Sequence, residues 1–291
     1  MFKQSDSDKE FSKISPTAAI IAYGRSFSGA KFTQEIATLI HAKEVYNGTF
    51  QKSNHEVLLF SAAVEARTQG IDQAIRKEGV RQVIELAAGF SPRGMQFTAD
   101  PTFTYVETDL EETIIQKSQI AQSILQSQKI FRPNLYFYVA NALSLSHLRD
   151  AREPLGPQKL AVVSEGIFNY LTMDERRILS QNIKHTLNLY GGAWMLSDIS
   201  TEEKRARKTS NSDNKKIRDI TGRDTVSTAF QDDSHITSFF NALGFNVEKH
   251  EIFGDLNALK TLKRAEISLP EISSEVKEQS PWENTWVLRP Y

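Results

Sequence analysis

The chain has 291 residues, 40% apolar and 24% charged, which is enough to bury a sizeable core and too apolar for a disordered chain. Its 35 basic and 36 acidic side chains leave a net charge of -1, excluding the strongly basic surface that general nucleic-acid binding needs. With no cysteine there is no disulfide, no thiolate metal site and no cysteine nucleophile.

The first residues, MFKQSDSDKE, hold no apolar stretch of the kind a secretion signal carries, and no apolar run nears the length of a membrane span, so a cytoplasmic protein without membrane contact is expected. From residue 17 to about 77 the pattern is helical. Pro16 precedes Thr17-Ala-Ala-Ile-Ile-Ala-Tyr23, a place where its missing N–H costs nothing. Leu58, Ala62, Glu65 and Ala66 lie at helical spacing within residues 57–75. The character changes at residue 80. Residues 80–86 read as a buried strand ended by Ala87-Ala88-Gly89, and the β-branched, aromatic residues 102–107 as a second strand. A helix fills residues 110–128, and residues 135–140 and 159–164 are the third and fourth strands. Residues 174–190 are a helix with Thr172 as N-cap and Glu175 as its capping-box partner, followed by a strand at 192–197. Strands alternating with helices give a mostly parallel sheet covered on both faces.

Residues 204–223, KRARKTSNSDNKKIRDITGR, interrupt the alternation as a basic, polar surface insertion that can serve as a lid and attract an acidic substrate. A helix over 233–243 stops at Gly244, a strand begins at 245–247, and residues 285–288 form a last strand. These two strands are expected to pair as an antiparallel hairpin at one sheet edge. Trp194 and Trp286 read as core.

The sharpest chemical signal is Val83-Ile-Glu85-Leu-Ala87-Ala-Gly89-Phe-Ser91-Pro-Arg93-Gly94: a strand with a carboxylate running into small residues at alternate positions. Open α/β sheets bind ligands beyond the carboxyl ends of their strands, where small residues allow close approach. Glu107 and Asp109 end the second strand, where an acid can bind ribose hydroxyls. Asn141-Ala142 follows the third, where an amide can read an adenine edge, and Ser164-Glu165-Gly166 follows the fourth. Together they suit a nucleoside-bearing ligand. A dinucleotide would want G-x-G-x-x-G, whereas here the first glycine position is Ala87 and Pro92 lies in the turn. S-adenosylmethionine carries a sulfonium, an ammonium and a carboxylate in place of phosphates. Glu85 and Glu165 suit the cationic groups, and an arginine can hold the carboxylate.

Ser15-Pro-Thr-Ala18, Ala66-Arg67-Thr68 with Ile71-Asp72, residues 82–94, Tyr105-Val-Glu-Thr-Asp-Leu110 and Glu165-Gly-Ile-Phe-Asn-Tyr170-Leu171 resemble the leucine carboxyl methyltransferase family over roughly residues 15–200. The resemblance implies a class I methyltransferase: a Rossmann-like, seven-stranded, mostly parallel sheet with an N-terminal helical cap (1–78), a cofactor-binding core (79–199), a lid insertion (200–232) and a C-terminal part of the sheet (233–291). It implies S-adenosylmethionine as cofactor, with S-adenosylhomocysteine as product. Arg67 would hold the cofactor carboxylate, Ala87 and Gly89 would line its methionine part, and Asp109, with Glu107, would bind ribose. Asn141 and Ala142 would lie by the adenine and Glu165 near the amino group. Ala87 replaces the family's usual glycine, Ser91 stands where much of the family has aspartate, and Asn141 replaces an aspartate.

The expected reaction is methyl transfer to a carboxylate or hydroxyl of a small molecule, with Tyr170 as a catalytic-pocket residue. A carboxylate needs no general base; for a phenol or alcohol, His147 and His250 are the candidates. The other readings are a protein of this fold that binds the cofactor without catalysis, and a protein-directed carboxyl methyltransferase. A hydrolase elbow at Gly89-Phe-Ser91 with Asp198 and His235 or His250 has the wrong spacing. The six histidines include no pair at metal-ligand spacing, so no metal is expected. Base methylation would want an Asn/Asp-Pro-Pro-aromatic turn where Ser164-Glu-Gly-Ile-Phe168 stands, or a cysteine thiolate.

Overall fold

The computed structural model describes residues 15–208, 211–225, 227–252, 256–265, 275–276 and 284–291. The long helical stretch divides into α1 (Ser15–Ser26), α2 (Thr33–Leu39), α3 (Ala42–Thr49) and α4 (Asn54–Glu78). Two of its breaks are invisible in composition. Phe32 and His41 take left-handed conformations, φ 71° and 52°, in place of the glycines such turns favour. Burial of the Phe32 ring within the cap offsets that local strain. The start of α4 did carry a legible signal, Ser53-Asn-His-Glu56, which forms a reciprocal capping box.

After the cap come β1 (Gln82–Leu86), α5 (Arg93–Phe97), β2 (Thr104–Asp109), α6 (Glu111–Ser127), β3 (Leu135–Val139), α7 (Leu145–Asp150), β4 (Leu160–Ser164), α8 (Met173–Tyr190) and β5 (Gly192–Leu196). The expected Thr172–Glu175 capping box opens α8. Two helices of the insertion follow, α9 (Glu202–Lys208) and α10 (Asn211–Thr221), then α11 (Asp233–Ala242), β6 (Phe245–Glu251), α12 (Lys260–Arg264) and β7 (Asn284–Pro290).

One seven-stranded sheet runs β3-β2-β1-β4-β5-β7-β6, with β1 to β5 parallel and β7 antiparallel to both its neighbours. The expected antiparallel pair of last strands stands at one edge of the sheet, with β7 next to β5 and β6 outermost. Composition explains the order. Trp286, Val287 and Leu288 of β7 are buried and pack into cores on both faces, as an interior strand must. β6 carries Glu248, Lys249 and His250, charges that suit an edge.

Alternation along β1 sends Ile84 and Leu86 to the core under α8 and α11, and Val83 to the opposite face against α4. Trp194, fully buried, anchors the first of these cores among Phe168, Phe240 and Phe245. Among the described residues no helix is long and apolar enough to cross a membrane.

Candidate active site

The carboxyl ends of β1 to β4 open into one cavity beneath the cap. Its floor is built first by the turn after β1. Ala87 and Gly89 both take φ 49°, and a left-handed alanine costs about 1–2 kcal/mol relative to the ordinary region. The turn is tied to β2: Ala88 N–H donates to the Thr108 carbonyl at 2.9 Å, and Gly89 N–H to the Asp109 carboxylate at 2.7 Å. Asp109 also accepts the Leu110 N–H at 2.8 Å. Burial raises the Asp109 pKa, and these two N–H groups oppose the rise.

At the end of β4 Glu165 collects three guanidiniums. Arg25 and Arg67 reach one carboxylate oxygen at 2.8 and 2.9 Å, and Arg93 reaches the other. Burial alone would raise the pKa of Glu165, but the three arginines hold it well below the ordinary range. Arg93, fully buried, also pairs with Asp72 at 2.6 Å and with Glu85, which accepts the Tyr105 hydroxyl at 2.8 Å. Arg25, Arg67 and Arg93 thus balance Asp72, Glu85 and Glu165 in charge, the condition under which a buried ionic cluster is tolerated.

A 3-10 turn, Phe168–Tyr170, brings Tyr170 to the cavity. Asp198, just past β5, pins that turn by accepting the Phe168 and Asn169 N–H groups at 2.5 and 3.3 Å. Its second oxygen has no hydrogen-bond partner, and burial pushes its pKa up to about 6. Burial also raises the pKa of Tyr170, opposed by a hydrogen bond with Thr17.

Of the expected site residues, Arg67, Ala87, Gly89, Asp109, Asn141, Ala142, Glu165 and Tyr170 line this one cavity. Glu85 and Glu107 lie behind it. They are register partners on adjacent strands, short of the strand ends, and fully buried. Glu85 serves the arginine cluster, while Glu107 pairs with Lys117 at 2.8 Å and accepts the Gly94 N–H at 3.1 Å. A side chain at Gly94 would run into Glu107 and Leu135, so the last glycine of the motif permits close packing of α5 on β2.

Neither candidate histidine lines the cavity. His147 accepts the Asn141 N–H at 3.0 Å from behind β3, and His250 sits on edge strand β6 beside Glu248. Sequence reasoning missed Arg25, the linking role of Arg93 and the lid residue Arg205. Arg93 stood inside the quoted motif; Arg25 carried no local signal, because its partners lie far along the chain.

Part of the insertion expected as a surface lid lines the cavity. Arg205 of α9 and Asp213 and Ile217 of α10 line it, facing Ile20, Tyr46, Phe50 and Phe60 of the cap. Lys52 joins the two sides, meeting Glu56 at 3.1 Å and Asp213 at 2.9 Å. Lys216 lies over the Phe50 ring at 5.7 Å.

Residues 22–184 match the family model described as leucine carboxyl methyltransferase. A comparison with curated proteins gives no match. Among solved structures, a DUF574 family protein from Streptomyces avermitilis is similar in fold at a TM-score of 0.55 and 13% identity, over 94% of this chain and 97% of that one. Magnesium protoporphyrin IX methyltransferase from Synechocystis, crystallised with S-adenosylhomocysteine, matches at a TM-score of 0.48 and 11% identity, over 91% of this chain and 97% of that one.

Proposed function

The chain belongs to the leucine carboxyl methyltransferase family and with it to the S-adenosylmethionine-dependent methyltransferases, and from that premise we propose that it methylates a carboxylate or hydroxyl oxygen of a small molecule. The residues fit the cofactor. A Cβ built on Gly166, at φ 96°, meets nothing within 4 Å, so there is room beside the end of β4. The amino and carboxylate groups of the cofactor's methionine end form a zwitterion, and the arginine–carboxylate cluster beside them is already balanced, so apart from the sulfonium neither disturbs the other's net charge.

In this reading Asp109 accepts the ribose hydroxyls, and Asn141 and Ala142 flank the adenine. Arg67 holds the cofactor carboxylate, and Glu165 the ammonium. S-adenosylmethionine supplies a methyl group on a positively charged sulfur, open to in-line displacement. The protein's contribution is then alignment and exclusion of water. Cap and lid do the second, and Tyr170 lies where it can orient the acceptor.

The observation that carries a small acceptor is the roof: the Lys52 bridge from cap to α10 closes over an apolar wall, which suits a compact molecule better than a protein tail. In this reading the enzyme is cytoplasmic, and its near-neutral charge supports the lack of general nucleic-acid or anionic-membrane partners.

The test is transfer of isotope-labelled methyl from S-adenosylmethionine to a panel of small carboxylic acids and phenols, with products treated in alkali. Alkali-labile esters or alkali-stable phenolic ethers are expected. Label found only on nitrogen or carbon, or no transfer despite bound S-adenosylhomocysteine, would reject the reading.

A further inference from the structure

Most polar side chains on the cavity wall already have partners. Glu165 is held by three arginines, Lys52 meets Glu56 and Asp213, and Tyr170 is tied to Thr17. Asn169 and Tyr46 differ. They are 5% and 3% exposed, and both line the cavity. Among the described residues neither the Asn169 carboxamide nor the Tyr46 hydroxyl has a hydrogen-bond partner. Neither polar end is sealed in packing, so what exposure they keep opens on the cavity. Both are nonetheless held still. The Asn169 N–H donates to Asp198 at 3.3 Å, and its carbonyl accepts the Thr228 hydroxyl at 3.1 Å. The Tyr46 ring packs on Tyr23, Phe50 and Phe60, with centroids 4.9, 5.4 and 5.5 Å away.

We propose that Asn169 and Tyr46 are the acceptor's two hydrogen-bond anchors. Asn169 orients the methyl-accepting oxygen, and Tyr46 selects a small molecule whose far end carries an uncharged oxygen, such as a keto or ether group. The assignment rests on the methyltransferase reading and deepens it, naming the residues that set specificity and a second polar group on the acceptor. Position divides the two roles. Asn169 adjoins Tyr170 on the turn that leaves the end of β4, where that reading puts the cofactor's methionine end. Its Nδ2–H donates to the acceptor oxygen and leaves that oxygen a further lone pair for the methyl group.

Tyr46, on α3, stands at the opposite end, among the apolar walls of Phe50, Phe60 and Ile217. Burial first, then the neighbouring Tyr23, Asp213 and Glu56, push its pKa up to about 12, so the hydroxyl is a neutral donor. Beside those two carboxylates stands Lys52, their shared partner, so a carbonyl or ether oxygen suits the hydroxyl and a second carboxylate does not. A nearly buried polar group without a partner is costly, and a ligand that supplies the partner recovers that cost. A site built this way rejects the analogue that lacks the oxygen.

The test titrates the S-adenosylhomocysteine-saturated protein calorimetrically with 4-hydroxyacetophenone beside 4-ethylphenol, and with 4-acetylbenzoate beside 4-ethylbenzoate. Each pair differs only in the far keto oxygen. At least one keto compound is expected to bind about three-fold or more tightly than its ethyl counterpart, although the latter is more apolar. Tyr46→Phe removes that preference. Asn169→Leu and Asn169→Ala leave the preference in place but weaken both members of the pair about equally, by roughly three- to ten-fold. In all three variants S-adenosylhomocysteine affinity stays within about two-fold of wild type, which separates loss of an anchor from loss of the fold. The assignment is overturned if no keto compound outbinds its ethyl counterpart, if Tyr46→Phe keeps the preference, or if both Asn169 variants bind the pair like wild type. Failure of the wild type to bind S-adenosylhomocysteine would instead sink the methyltransferase reading beneath it.

Discussion

At the sheet end of the cavity, polar groups are held from several directions: Asp109 by two backbone N–H groups, Glu165 by three arginines, Arg93 by three carboxylates. At the end lined by the cap and the insertion, the aliphatic and aromatic walls of Ile20, Phe50, Phe60 and Ile217 are spanned by Lys52, paired with Glu56 and Asp213. The sheet end rests on parallel strands buried on both faces; the other end is assembled from helices joined across the opening by the Lys52 bridge. The difference teaches a division of labour. A rigid, charge-balanced end suits a constant cofactor, and a largely apolar end built from helices suits selection among acceptors.

The largest blow to the rigid end is Arg93→Met. It leaves Asp72, Glu85 and Glu165 short of a partner in the interior, and unfolding by denaturant should show a loss of about 3–5 kcal/mol. An equal blow to the apolar end cannot be struck with one charge, so Lys52→Met tests the contrast. Its pairs are partly exposed, and the same assay should register less than about 1 kcal/mol.

Between these lies Asp198, which supports the Tyr170 turn. Its pKa is raised from 3.8 to about 6, so its contribution to stability is complete below the lower value and is lost as pH rises through the upper one. Relative to Asp198→Asn, whose amide oxygen can still accept the two N–H groups, wild-type unfolding free energy should fall by about 3 kcal/mol across that window. A flat difference between the two proteins would show that Asp198 is not buried as the acid.

Ala87→Gly sharpens the account of the β1 turn. Relief of the left-handed strain, less the entropy that glycine adds to the unfolded chain, should stabilise the protein by about 1 kcal/mol or less. A loss of stability would mean that the Ala87 methyl packs usefully where the family prefers glycine.

The two ends also differ in how much of them could be read from sequence. The parallel core was legible because each strand is a short apolar run and its cavity-lining residue stands at or just past its end, as with Asp109 ending β2 and Glu165 following β4. Position along the strand then separates groups that composition treats alike: Asp109, at the end of β2, reaches the cavity, while Glu107, two residues earlier on the same face, and its register partner Glu85 point into packed interior. The insertion of β7 between β5 and β6 needed the contrast between Trp286-Val-Leu288 and the charged β6, which pattern alone did not rank. The end lined by the cap and the insertion was hidden for a deeper reason. Lys52 meets Asp213, and Lys216 meets the Phe50 ring, only after these segments fold together, and no periodicity records a contact between segments that far apart.

The central claim is that the two ends are separable in function, and calorimetric titration with S-adenosylhomocysteine of wild type, Asp109→Ala and Lys52→Met tests it most directly. Wild type and Lys52→Met should bind alike, and Asp109→Ala should bind about ten- to one-hundred-fold more weakly, as expected for losing hydrogen bonds to a charged group. Equal weakening in both variants, or full binding by Asp109→Ala, would contradict it.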